Sequence, residues 1–70
     1  MSMSTEMEQT WVAAGPAGTV GSIHRTGEAF HVRLRGDAEA RGPFDSLDVA
    51  KRALHAALGP GAERPDFREH

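Results

Sequence analysis

The stretch "GSIHRTGEAFHVRLRG" sets His24, His31, Arg33 and Arg35 among apolar residues, and Arg41 follows shortly after. Guanidinium and imidazole groups gathered on one surface suit an anion, because charged N–H donors match carboxylate and phosphate oxygens. Two imidazoles could also approach one metal ion. A structural zinc site takes four ligands and a catalytic one three, and the chain has no cysteine to complete either set. Ser22 and His24 would share one face of a strand with Cβ atoms about 6.6 Å apart. That is long for a nucleophile and its base, and no carboxylate is placed to orient the imidazole. "GPAG" at Gly15 and "GPGA" at Gly59 have turn composition without the spacing of a phosphate-binding loop. These tests give no catalytic residue, no metal and no cofactor, and the expectation is a protein that is not an enzyme.

The elements that position these side chains must fit in one small domain, since the chain has 70 residues. Chains this short bury only about 60% of their unfolded surface. Without disulfides the fold relies on packing, with self-association as a further source of stability. A formal net charge of −2 gives no global attraction to nucleic acid. No stretch has the apolar length of a membrane span. The opening "MSMSTEMEQT" contains acidic residues and lacks the apolar centre of a signal peptide. With no cysteine, a reducing cytoplasm is the expected setting. Seven arginines stand against one lysine, and Ala and Gly are abundant, a bias that looks like a GC-rich bacterial genome.

Residues 1–9 are polar and read as a disordered lead. Residues 10–59 hold the folded domain, and 60–70 read as a polar, loosely held tail. Within the domain, Thr19 to Arg25, Glu28 to Arg35 and Glu39 to Phe44 read as strands. "DSLDVAKRALHAALG" reads as a helix capped by Asp45 or Ser46 and stopped at Gly59–Pro60. Leu47, Ala50, Leu54 and Leu58 form its buried stripe, with Ala53 and Ala57 beside them. Pairing His24 with Ala29 sets Ile23 opposite Phe30. A three-residue loop Gly36–Asp37–Ala38 then sets Arg35 opposite Glu39 and Phe30 opposite Phe44. Both registers agree on an inner face of Ile23, Phe30, Val32, Leu34, Ala40 and Phe44, covered by the helix. The expected fold is α+β: a three-stranded antiparallel sheet with one C-terminal helix packed on one face. Trp11 and Val12 either add a fourth strand or plug one end of the core.

That register fills the opposite face with Ser22, His24, Ala29, His31, Arg33, Arg35, Glu39 and Arg41. The plainest reading is a solvated face, since antiparallel sheets commonly have one wet side. A sharper reading comes from a likeness. Thr19 to Leu58, with "GTVGSIHRTGEAFHVRLRG" followed by "GPFDSLDVAKRALHAAL", resembles the small N-terminal DNA-binding domain of tyrosine-type phage integrases. The resemblance implies a three-stranded sheet laid in the major groove, with Arg33, Arg35 and Arg41 as contacts. It departs from that family at "GDAEARG", where the family is rich in Lys and Arg. The chain is also like small bacterial domains of unknown function through its "F-x-S-x-x-x-A-K-x-A-L" ending. The expected function is a small non-enzymatic bacterial domain acting in protein interaction or structure, through an unidentified protein partner or self-association. The alternative is a weak nucleic-acid-binding module that uses His24, His31, Arg33, Arg35 and Arg41.

Overall fold

The computed structural model describes residues 9–70. The lead expected over residues 1–9 lies outside the described residues, except for Gln9, which opens the first strand. In chain order the elements are β1 (Gln9–Gly15), β2 (Gly18–Thr26), β3 (Ala29–Leu34), β4 (Arg41–Phe44), α1 (Leu47–Ala57) and β5 (Asp66–Glu69). The strands form one five-stranded antiparallel sheet in the order β4-β3-β2-β1-β5. The α+β class with one helix is as the sequence implies. The strand count is higher, and the helix is not C-terminal, because β5 follows it. Trp11 and Val12 do form an extra strand, and β5 then pairs along its free edge. The segment read as a loose tail thus holds a sheet strand. "DFRE" has one apolar residue between polar ones, and pairing sets Phe67 on the core side while Asp66 and Arg68 face away.

The β2–β3 hairpin turns on two residues, Gly27 and Glu28. Thr26 lies opposite Ala29, His24 opposite His31 and Ile23 opposite Val32. This differs by two residues from the register inferred from sequence. Gly27 has φ 64° and, among the described residues, no non-glycine residue has a positive φ, the backbone pattern of a type II′ turn. Its twist matches that of the flanking strands, so the tight hairpin prevails over the longer loop. A shift of two leaves every side chain on its assigned face, whereas a shift of one would exchange the faces.

Between β3 and β4 the pairing of Phe30 with Phe44 forms as expected, but Val32 lies opposite Arg41. The extra residue is accommodated at Gly42–Pro43. Gly42 has φ 135°, and a methyl group there would lie 2.8 Å from the Phe30 carbonyl oxygen. The bulge shortens the strand, so Glu39 and Ala40 lie outside it. Ala40 is exposed rather than part of the inner face, and the Arg35–Glu39 cross-strand pair does not form.

Ala13, Ile23, Val32, Ala50 and Leu54 are fully buried at the centre. Phe30, Leu34 and Phe44, on the inner face as the sequence implies, flank that centre with Trp11, Val20, Leu47, Leu58 and Phe67. Ser46 caps the helix by accepting a hydrogen bond from the Val49 N–H, and Asp48 lies in the first turn. Ala50 and Leu54, one turn apart, sink into the sheet. The helix packs on β3, β4 and β2. Close approach there is possible because residue 21 is glycine. A methyl group on Gly21 would lie 2.8 Å from the Arg33 carbonyl oxygen and 3.2 Å from Leu54 Cδ1. Over β5, the Lys51 ammonium sits 5.3 Å from the Phe67 ring centroid.

Candidate binding face

The single helix lies on one side of the sheet, so the other side is left without a second layer among the described residues. Strand pairing arranges that side in two rows. One row reads His70, Thr10, His24, His31, with His70 held to the Thr10 carbonyl by its backbone N–H at 2.7 Å. The other reads Arg68, Val12, Ser22, Arg33. With strands about 4.8 Å apart, the two arginine Cα atoms close the second row about 14 Å apart. Thr10 Oγ1 and His24 Nδ1 share a hydrogen bond of 3.1 Å. A shallow depression of about 290 Å³ lies at the Arg33 end, lined by Val12, Thr19, Ser22, Arg33, Arg35 and Asp37 among others.

The sequence-derived site residues are only partly brought together. His24 and His31 are directly opposite one another, and Arg33 shares their face. Arg33 is already occupied: Nη2 donates to the Ala38 carbonyl at 3.0 Å, and Nε reaches the Asp37 carbonyl at 3.4 Å. It therefore clamps the loop between β3 and β4. Arg35 lies just beyond the end of β3, where its backbone N–H donates to the Val20 carbonyl. Arg41 is separated from the group by the bulge and pairs with Asp37, Nη2 to Oδ2 at 3.4 Å. Both side chains of that pair are exposed, so its net contribution is about 0.2–1 kcal/mol.

Arg68 and His70 were missed from sequence because their segment reads as a tail. The only signal was the single apolar Phe67 between Asp66 and Arg68 after Pro65, too short to tell a strand from a tail. His55 is half-buried, and its Nε2 bonds the Ala62 carbonyl at 2.9 Å. A carbonyl only accepts, so Nε2 carries the proton.

Among the described residues, no group of three or more His, Cys, Asp or Glu could hold a metal ion. Also among them, no helix is long and apolar enough to cross a membrane. What the face offers is hydroxyls, imidazoles and small apolar side chains nearly flush with the sheet, with a guanidinium at each end of one row. Comparison of the chain with known protein families, curated proteins and solved structures finds no match.

Proposed function

We propose that this chain is a non-enzymatic protein-interaction module whose working surface is the open sheet face around Val12, Ser22, His24 and His31. The observation that carries the reading is the uncovered sheet face, together with the diversion of two of the candidate cations to internal partners. Arg33 holds the carbonyls of its loop and Arg41 holds Asp37, so the positive charge available to a phosphate backbone is reduced. Hydroxyl and imidazole groups beside Val12 form a mixed polar and apolar surface of the kind a folded partner covers. The arginine-over-lysine bias and the absence of cysteine support a bacterial, cytoplasmic setting.

A second reading, nucleic-acid binding through the same face, is favoured by the sharing of that face by His24, His31, Arg33 and Arg68. One experiment separates the two. The parent chain and a Ser22→Glu/His31→Glu variant are immobilised, and binding is compared with and without nuclease treatment. The protein-interaction reading expects a protein retained by the parent, insensitive to nuclease, and lost from the variant while its amide spectrum stays folded. It also expects duplex DNA to bind no tighter than the non-specific range of about 10⁻⁴–10⁻⁶ M at physiological salt. Sub-micromolar, salt-sensitive DNA binding that the variant loses would replace the first reading with the second.

A further inference from the structure

We infer that the free edge of β5 is a self-pairing edge, through which two copies of this chain join their sheets about a two-fold axis centred on Phe67. The inference does not rest on what the open face binds. It rests first on which backbone groups β5 leaves unpaired. The His70 N–H donates to the Thr10 carbonyl, so the His70/Thr10 pair is a hydrogen-bonded one. Such pairs alternate along an antiparallel ladder. Arg68 opposite Val12 and Asp66 opposite Ala14 are therefore hydrogen-bonded pairs as well. Phe67 and Glu69 fall between them, and their N–H and C=O groups point away from β1. Among the described residues, no strand in the sheet lies beyond β5 to take them.

A second β5 in antiparallel orientation meets these groups in one register. Phe67 pairs with Phe67 of the other copy, and each donates its N–H to the other's carbonyl. Each Glu69 N–H then reaches the Pro65 carbonyl opposite, where the missing proline N–H costs one bond per side. In this register Asp66 of one copy lies opposite Arg68 of the other, twice, on the same face of the sheet. Shifting the register by two centres it on Arg68 and sets like charges opposite each other. Shifting it by one mismatches the hydrogen-bonding groups.

Charges on an edge strand usually deter such pairing. Here the two signs are placed symmetrically about Phe67, so the deterrent becomes attraction for a second copy of this chain. The interface is isologous, as a two-fold contact requires. On the core side, the two Phe67 rings become a cross-strand aromatic pair. The opposite edge is unlike it. β4 is as short as β5 but carries Pro43 and the bulge within it, which blunt it. An interface of one short strand per copy belongs to the weak, concentration-dependent class.

A charge swap tests the pairing. Asp66→Arg and Arg68→Asp each turn two attractive cross-strand pairs into repulsive ones. Each should raise the dissociation constant measured by sedimentation equilibrium by about tenfold or more. The double variant Asp66→Arg/Arg68→Asp restores opposite charges and should regain the parent value. An equimolar mixture of the two single variants should form a heterodimer, since their charges are complementary. The second measurement is amide exchange of the parent chain as concentration rises. The Phe67 and Glu69 amides should gain protection, while those of Asp66 and Arg68 stay protected throughout. A parent chain that remains monomeric at millimolar concentration overturns the inference. So does a dimer unaffected by either single change, or one whose Phe67 amide exchanges at the same rate at every concentration.

Discussion

Arginines that look alike along the chain do different work. Arg33 and Arg35 are two residues apart and both polar-facing in pattern. Yet Arg33 donates to the Asp37 and Ala38 carbonyls, while Arg35 makes no side-chain hydrogen bond among the described residues. Arg25 is different again. It lies on the helix side of the sheet and donates to Gln9 Oε1 at 2.9 Å, and Gln9 Nε2 donates to Glu69 Oε2 at 2.8 Å. That chain of bonds ties three strands together at the rim beside Trp11 and Phe30, whose rings are 6.0 Å apart. From the sequence alone, Arg33 and Arg35 could be exchanged for glutamates together at no cost beyond a surface pair. The loop clamp changes that expectation. Arg33→Ala should lower unfolding free energy by about 0.5–1.5 kcal/mol, the usual net contribution of such bonds. Arg35→Ala should stay within about 0.5 kcal/mol of the parent. Urea denaturation of the two variants side by side checks the difference, and equal losses would show that the clamp contributes nothing.

The elements differ in how much each depends on the rest. Helix α1 carries its own signals: Ser46 at the cap, Asp48 in the first turn, and Gly59 with φ 103° just past Leu58. Ser46→Ala removes the acceptor for the Val49 N–H and should cost about 0.5–2 kcal/mol, whereas Ser46→Asp should stay near the parent. Thermal unfolding followed by circular dichroism reads both, and an unchanged alanine variant would show that the cap is dispensable. The strands have no such autonomy. β2 and β3 were legible because "SIH" and "FHVRL" alternate cleanly. β4 was legible only at its Phe44 end, since nothing in "GDAEARGPF" announces that the bulge excludes Ala40. β5 was not legible as a strand. Four residues with one apolar side chain look the same whether they pair with β1 or trail in water.

The molecule as a whole is small for the work its core must do. Stabilities of about 0.05–0.15 kcal/mol per residue imply about 4–10 kcal/mol for a chain of 70 residues. Leu54 is fully buried between the helix and the sheet, beside Ile23, Val32 and Ala50. Leu54→Ala should cost about 2–5 kcal/mol, a large part of the total. Phe30, on the inner face like Leu54, is only half-buried and flanks the centre, so Phe30→Ala is the matching comparison. It should therefore cost less than Leu54→Ala. Calorimetric melting of the two variants orders them, and a greater loss from Phe30→Ala would place the centre of the core nearer the Trp11 rim.

The sequence by itself determined the class of the fold, the helix and its ends, and the face on which each β2 and β3 side chain lies. These follow from local causes: periods of two and 3.6 residues, a capping serine, and glycines where the backbone needs a positive φ. Only the tertiary structure decided the hairpin register, the bulge at Gly42–Pro43, the capture of β5 by β1, and the diversion of Arg33 and Arg41 to the Asp37 loop. Each of those is a competition among partners distant along the chain. The winner is set by which arrangement satisfies backbone hydrogen bonds around a shared core, and the residue pattern of no single segment contains that comparison.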